Sequence, residues 1–414
     1  MGASLVTTAA RRGLYYGWVV VGTLATTETI SWGILYYAFA AFLVPMQQEL
    51  GWSTATLTGA YSLALLVSGL AAIPVGRWVD RHGPRLLMTV GSIGGTLLLL
   101  AWARVETLPS FYTLWAALGL VMAATLYEPA FTVIAVWFRE ARSRALLLLT
   151  FVAGFASTIF LPVATALIER YGWRQALLVL AGLLAVTTIP AHALILRRRP
   201  EDLDLQPDGR PAAQHVGAVT PGGDGVTLHQ ALREPAFWWL TAAFFLGTLS
   251  SVAVAVHLIP FLLADGYDPG FAAVATGLLG ATQVASRVVI TMAGNRIPAV
   301  PLTAAVFALQ GAAVLVLLSW RQTSGVLLAV VLLGAGRGAV TLMRASLIAD
   351  RYGRTHYGAI GGALALFVSG AAALAPVGAG VAYQVAGAYP VVFAGLAGIS
   401  GLAALAMVGM WQWG

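Results

Sequence analysis

Long runs of apolar residues, separated by short charged stretches, most restrict the folds that this chain can adopt. Of its 414 residues, 59% are hydrophobic and only 9% are charged, whereas about a quarter of an ordinary globular domain is charged. Runs of about 20 apolar residues are long enough to cross a bilayer as α-helices. They occupy 16–40, 54–75, 86–103, 110–136, 145–168, 175–196, 236–264, 271–293, 300–320, 324–349, 358–385 and 388–411. The sequence therefore predicts an all-α membrane protein with twelve transmembrane helices.

The connection from Gly76 to Arg85 carries the highest density of charge. Four charged side chains and two turn-forming residues separate the second apolar run from the third. An ionisable side chain inside the hydrocarbon costs several kcal/mol, so this stretch cannot lie within the bilayer. We expect a water-exposed hairpin here.

The positive charge of the chain is explained by membrane topology. All 23 basic residues are arginines, the formal net charge is +7, and most arginines follow even-numbered apolar runs. Because cytoplasmic loops retain positive residues, we expect both termini in the cytoplasm, with the protein embedded in a lipid bilayer. The charge therefore gives no reason to expect nucleic acid as a partner.

No group of residues suited to catalysis is visible in the sequence. Cysteine is absent, which excludes thiolate chemistry, and no nucleophile–base pair or metal-ligand cluster stands out. We expect neither enzymatic activity nor a cofactor or metal, and a protein that functions as a monomer.

The two halves of the chain resemble each other weakly. At a shift of about 215 residues, Pro45 aligns with Pro260 and Gly51 with Gly266. Such a repeat implies two similar bundles that face each other across an axis along the membrane normal, with a ligand site between them near the bilayer midplane. We expect a six-helix bundle in 1–196, a cytoplasmic linker in 197–235 and a second six-helix bundle in 236–414.

Two acidic residues lie inside apolar runs of the first half, and each has two interpretations. Glu28 lies near the middle of the first run, with Trp32 and Tyr36 following at four-residue steps, a stripe that suits a cavity wall. Glu28 either carries a proton or is a neutral side chain bonded between helices. In the fourth run, Glu128 either carries a proton or pairs with an arginine, and its neighbour Tyr127 either offers a hydroxyl to a ligand or packs between helices.

Three arginines lie inside apolar runs of the second half. Arg287 either extends to the cytoplasmic surface or binds a substrate carboxylate, which a guanidinium can grip with two parallel hydrogen bonds. Gln283 lies one turn before it. Arg337 is in the middle of its run and should face a carboxylate or the cavity. Arg344 is nearer the end, where pairing or extension to the surface is expected.

Several motifs resemble the major facilitator superfamily, and within it the monocarboxylate porters and their bacterial relatives. The likeness rests on Gly76–Arg85, Gly17-Trp18, Trp137-Phe138-Arg139 with Arg142 and Ala145, Arg287 with Asn295, and 228–238. The resemblance implies a transporter that moves a small monocarboxylate, similar to lactate or pyruvate, by alternating access with proton symport. The alternatives are an organic anion exchanger and a proton-coupled drug efflux transporter.

The resemblance also implies roles for individual residues. Arg287 would bind the carboxylate of the small organic anion, and Tyr127 would help to orient it. Asp80 and Arg81, within a motif that includes Gly76 and Gly83, would form a cytoplasmic gate.

Two departures from the family pattern concern proton coupling and the charge of the substrate. Animal members carry an acidic residue one turn before the arginine of the eighth helix, where this chain has the neutral Gln283. Coupling must then use Glu28 or Glu128. Related oxalate exchangers have a second cation in the eleventh helix, whereas 358–385 contains no charge, which disfavours a dianion.

Overall fold

Twelve membrane-crossing helices form the body of the protein. The computed structural model describes residues 15–209, 225–294 and 297–412, and these ranges contain no β-strand. Twelve helices within them are long and apolar enough to cross a membrane, which confirms the predicted fold class. They are α1 Tyr16–Leu50, α2 Thr54–His82, α3 Pro84–Trp102, α4 Leu108–Trp137, α5 Arg142–Tyr171, α6 Trp173–Leu194, α7 Pro235–Ala264, α8 Pro269–Met292, α9 Ala299–Ser319, α10 Thr323–Tyr352, α11 Tyr357–Ala386 and α12 Tyr389–Trp411.

The first two helices extend furthest beyond the ends that the apolar runs predict. α1 does not stop at residue 40 but continues past an internal Pro45 to Leu50, and Gly51 ends it in the left-handed conformation at φ 68°. α2 continues through the charged residues, so that Gly83 alone, at φ 80°, makes the turn into α3. The expected hairpin at 76–85 is therefore much shorter than predicted, because only Gly83 lies outside the two helices. Glycine is suited to this turn because it has no Cβ to clash at positive φ.

The ends of the bundle differ, and we name them by the segment between the halves. The linker end contains Tyr15, Gly83, residues 195–209 and Trp411; the far end is opposite. Part of the expected linker, 210–224, lies outside the described residues. Its last part forms the short helix Leu228–Arg233, begun by a reciprocal capping pair of Thr227 and Gln230.

At the linker end the two halves pack directly against each other through α2 and α11. A Cβ on Gly76 would lie 1.9 Å from the carbonyl oxygen of Gly358, and a Cβ on Gly362 would lie 2.2 Å from that of Ala72. Small residues at such crossings let helix backbones approach closely. One buried apolar cluster continues through both halves here, from α1, α4 and α5 into α7, α10 and α11.

Asp80 strengthens this closure. Its carboxylate accepts hydrogen bonds from the backbone N–H groups of Gly358 and Ala359, both at 2.8 Å. These donors belong to the first turn of α11, where a negative charge is favoured by the helix dipole. The neighbouring Arg81 is exposed. A second contact between the halves joins Arg142 of α5 to Asp350 of α10 at 2.9 Å.

The linker adds contacts to both halves at this end. Asp208 accepts hydrogen bonds from three successive backbone N–H groups, those of residues 139, 140 and 141, at 3.0, 3.0 and 3.1 Å. Glu201 lies 3.5 Å from Arg354, in the connection before α11. The segment Pro200–Leu203 and the residues after it therefore contact the N-terminal half and the C-terminal half.

At the far end the apolar cores of the two halves are separate. One cluster contains only residues between 30 and 184, and the other only residues between 253 and 397. The protein is thus closed at the linker end and divided at the far end, so that the space between the halves opens toward the far side.

This arrangement predicts the effect of a bulky side chain at the α2–α11 contact. Gly76→Leu should disfavour the conformation closed at the linker end, because its side chain would overlap the backbone of Gly358. Since the chain contains no cysteine, spin labels can be placed at Glu106→Cys and Gln322→Cys in the far-end loops of the two halves. We expect Gly76→Leu to shift the measured distance distribution between these labels toward shorter values.

Gly22→Leu is the matched control, since a Cβ at Gly22 meets nothing within 4 Å. It should leave the distance distribution as in the parent protein. An unchanged distribution in a monodisperse Gly76→Leu variant would contradict the role of this contact in closure.

Candidate substrate cavity

A cavity of about 500 Å³ lies between the two halves. Its walls come from α1, α2, α4 and α5 of the first half and from α7, α8, α10 and α11 of the second. These are the first, second, fourth and fifth helices of each half, so the cavity follows the internal repeat. All residues predicted to bind substrate, and the acidic and basic candidates other than Glu28, line it.

A π-helical segment, Trp32–Tyr37, interrupts α1 at the cavity. In this geometry a backbone N–H bonds to the carbonyl five residues earlier, which widens the turn, and such segments are frequent at functional sites. Trp32, Tyr36 and Tyr37 all line the cavity. The sequence pointed to Tyr36 but missed Tyr37, because in an ideal α-helix adjacent residues point about 100° apart.

Glu28 lies one turn before this segment and is set apart from the cavity lining. It is 0% exposed, and among the described residues neither of its carboxylate oxygens has a hydrogen-bond partner. It is near enough to Glu128 for their charges to interact. Of the expected stripe, Trp32 and Tyr36 line the cavity and Glu28 does not, although Trp32 lies close enough to interact with the Glu28 carboxylate.

α4 is broken inside the membrane, and the break presents two candidate residues to the cavity. Leu126 is extended, with φ −94° and ψ −164°, and a second helical piece, Tyr127–Trp137, begins after it. Pro129 is in the first turn of this piece, where a missing N–H breaks no intrahelical bond. Tyr127 and Glu128 therefore lie at a helix N-terminus, which favours negative charge.

Glu128 forms an ion pair across the cavity. An oxygen of its carboxylate lies 2.5 Å from a guanidinium nitrogen of Arg344, and the two side chains are 23% and 13% exposed. The pair joins α4 of the first half to α10 of the second. The sequence left open whether Glu128 and Arg344 each pair with an opposite charge. In this conformation they pair with each other.

Arg287 reaches from α8 to the opposite half. It is 7% exposed, and its Nη1 donates a hydrogen bond to the carbonyl of Thr150 in α5. A Cβ on Gly154 would lie 2.8 Å from this nitrogen, so glycine leaves room for the guanidinium. Its Nε is buried and has no hydrogen-bond partner among the described residues. The side chain thus lies between the halves and does not extend to the linker end.

Arg337 approaches the same cavity from α10. Its Nη1 donates to the carbonyl of Ser251 at 3.2 Å, and it is close enough to Tyr36 and Tyr37 for electrostatic interaction. No ion pair between described residues includes Arg287 or Arg337. With Arg344 matched by Glu128, the cavity contains two guanidinium groups without a carboxylate partner, an arrangement suited to binding an anion.

The remaining polar lining consists of one amide and several hydroxyl groups. Gln283 lies one turn from Arg287, as the sequence predicted. The hydroxyl residues, which the sequence analysis missed, are Ser68, Ser157, Thr248, Ser251, Thr341 and Ser369. Nothing in their local sequence distinguishes them from other small residues of apolar runs. The described residues contain no group of three or more His, Cys, Asp or Glu side chains that could hold a metal ion.

Comparisons with known proteins agree with this architecture. The chain is 26% identical over 319 residues to monocarboxylate transporter 13 of Bos taurus, covering 76% of this chain and 67% of that one. It is 24% identical over 237 residues to the oxalate:formate antiporter of Oxalobacter formigenes, covering 56% and 53% of the two chains. The solved structure of the transporter FucP in the outward conformation matches the fold with a TM-score of 0.74 at 14% identity, covering 96% of this chain and 99% of that one. Residues 23–323 match the Major Facilitator Superfamily, and the chain belongs to this family of transporters.

Proposed function

We propose that this protein moves a small monocarboxylate, of the size and charge of lactate or pyruvate, across the membrane by alternating access. The observation that carries the proposal is the pair of guanidinium groups, Arg287 and Arg337, that lack a carboxylate partner in a cavity between the two halves. A permanently positive group in a site of low dielectric attracts an anion strongly. The relationship to monocarboxylate transporter 13 supports the same substrate class.

Four residues from both halves would hold the substrate. Arg287 has a buried Nε with no hydrogen-bond partner in the described part of the chain and would donate to a carboxylate oxygen. Gln283, on the same helix, would add an amide donor, and the hydroxyl groups of Tyr36 and Tyr127 would bind from the opposite wall. A substrate held in this way touches both halves and can stabilise the conformation in which they close around it.

The gate at the linker end would open when α2 and α11 separate. Gly76 allows the close approach, Gly83 makes the turn, and Asp80 holds the first turn of α11. Arg81 would contribute its charge at the same surface. The two moving bodies would be the bundles 1–196 and 236–414, connected by 197–235.

A proton would accompany the anion and be carried by Glu28 or Glu128. Glu128 is paired with Arg344 across the two halves, so protonation would release a contact that must break when the linker end opens. Glu28 is buried without a hydrogen-bond partner among the described residues, and an uncompensated charge there is costly. Both features suit a carboxylate that takes up and releases a proton during transport.

The distribution of arginines supports an orientation in which the linker end and both termini lie on the cytoplasmic side of the membrane. We infer that this is a bacterial inner membrane. In this orientation the described conformation faces outward. The protein would function as a monomer, because the cavity is complete within one chain.

A second candidate function is obligatory exchange of organic anions. The observation that favours it is the excess of positive charge in the cavity, because closing an empty cavity with two unmatched guanidinium groups would bury uncompensated charge. A bound anion would then be needed in both directions of the cycle. The similarity to the oxalate:formate antiporter agrees with this alternative.

The role of Arg287 can be tested by substitution. Arg287→Ala should reduce saturable uptake of labelled lactate into proteoliposomes by more than tenfold, since a lost charge-assisted bidentate contact is worth about 1.5–3 kcal/mol. Arg287→Lys keeps the charge but not the forked geometry and should retain part of the activity. Arg170→Ala, at an exposed arginine near the far end of α5, is the control and should behave as the parent protein. Normal uptake by a folded Arg287→Ala variant would remove the proposed role.

Proton coupling can be tested with an imposed pH gradient. Uptake by the parent protein should rise when the outside is more acidic. Either Glu28→Gln or Glu128→Gln, whichever removes the proton carrier, should abolish this response while exchange of labelled for unlabelled lactate across the membrane persists, because exchange requires no net proton movement. If uptake by the parent protein is indifferent to the gradient, symport is wrong and anion exchange is the mechanism.

The ion pair between Glu128 and Arg344 can be measured by a double-mutant cycle. Glu128→Gln and Arg344→Gln should each lower the melting temperature in detergent, because each leaves a largely buried charge without its partner. The double variant should lose less than the sum, with a coupling of about 0.5–3 kcal/mol. The pair Arg170→Gln and Glu128→Gln serves as the comparison and should be additive. Additive behaviour of the first pair would show that its contact contributes nothing to this conformation.

A further inference from the structure

The two walls of the cavity differ in chemistry. The wall from the first half presents four aromatic side chains, Trp32, Tyr36, Tyr37 and Tyr127, whereas Arg287 and Arg337 come from the second half. A ligand that fills the cavity must therefore satisfy rings on one side and positive charge on the other. Propanoate or lactate can accept hydrogen bonds from the hydroxyl groups on the aromatic wall, but it has no ring to pack against the ring faces.

The aromatic wall is held in place by contacts among its own rings. Trp32 lies between Tyr127, with ring centroids 4.8 Å apart, and Tyr36, with centroids 4.9 Å apart. Tyr127 is stacked on Phe131 at 5.0 Å and an interplanar angle of 11°. Rings braced in this way lose little conformational freedom when a ligand ring packs against them.

The π-helical turn creates this wall. It allows Trp32, Tyr36 and Tyr37 to face the cavity from six consecutive residues. All three are only partly buried, so ring surface remains open to the cavity. Exposed aromatic surface in a concave site between two domains is a common basis for recognising aromatic ligands.

The volume of the cavity also exceeds the needs of a three-carbon acid. At about 500 Å³ it falls within the range of about 300–1,000 Å³ found for sites that bind drug-sized ligands. An acid with six heavy atoms would leave much of the ring surface of the aromatic wall in contact with water. A ring attached to the acid would give that surface an apolar partner to pack against.

We propose that the preferred substrate is a carboxylate bearing an aromatic ring, with the carboxylate at Arg287 and the ring packed against Trp32 and Tyr127. This inference rests on the proposed carboxylate site and adds the part of the substrate that the site selects. An aromatic ring packs edge-to-face or offset against other rings more favourably than a saturated ring of similar size, since its edge and face carry opposite partial charges. A second carboxylate in place of the ring would meet Arg337 but would leave the aromatic wall unused.

Four acids distinguish these possibilities when their dissociation constants are measured by calorimetry on the purified full chain. They are 3-phenylpropanoate, 3-cyclohexylpropanoate, propanoate and succinate. We expect 3-phenylpropanoate to bind at least tenfold more tightly than propanoate and succinate, and several-fold more tightly than the cyclohexyl acid. Trp32→Leu should weaken binding of the phenyl acid about tenfold and leave propanoate unchanged. Trp78→Leu, at an exposed tryptophan outside the cavity, should change neither.

The outcomes separate this inference from the proposed function. If no acid binds in a manner that Arg287→Ala abolishes, the carboxylate site itself is wrong. If binding depends on Arg287 but the phenyl acid has no advantage over propanoate, succinate or the cyclohexyl acid, the site stands and selection by the aromatic wall is wrong. The same conclusion follows if Trp32→Leu and Trp78→Leu affect the phenyl acid equally.

Discussion

The close packing of α2 on α11 at the linker end is the contact on which the arrangement of the protein depends. It is possible because Gly76 and Gly358 have no side chains, and it is fixed by Asp80, which accepts two backbone hydrogen bonds from α11. Because one continuous apolar cluster fills this end and two separate clusters fill the other, closing the linker end leaves the cavity open to the far side.

Most of the charged side chains inside the apolar runs of the helices lie where the two halves meet. Glu128 and Arg344 compensate each other, whereas Arg287 and Arg337 form no ion pair among the described residues and donate to the backbone carbonyl groups of Thr150 and Ser251. Neutral acceptors leave the guanidinium charge available, because a carbonyl dipole offsets it less than a carboxylate does. The aromatic rings line the wall from the first half, and the guanidinium groups of Arg287 and Arg337 line the wall from the second. A ligand that contacted both walls would therefore also join the two halves.

The twelve helices could be predicted from the sequence for a clear physical reason. Apolar runs and isolated charges inside them are strongly constrained by the bilayer, so the twelve helices and the position of Arg287, Arg344 and Glu128 within them could be read directly. Departures from ideal helical geometry could not be predicted in this way. The π-helical turn that brings Tyr37 to the cavity depends on packing between helices, as does the pairing of Glu128 with Arg344. The pairing also joins residues more than 200 positions apart.

The segment between the halves contacts both of them. Asp208 is anchored to the start of α5 by three backbone N–H groups, while Glu201, seven residues earlier, contacts Arg354 of the other half. Under the proposed alternating access, separation of the two halves at this end would pull on both contacts. The partly exposed ion pair is the weaker of the two, so this segment would detach from the C-terminal half and remain on the N-terminal half. Its contact with Arg354 would then favour the conformation closed at the linker end without touching the transported molecule.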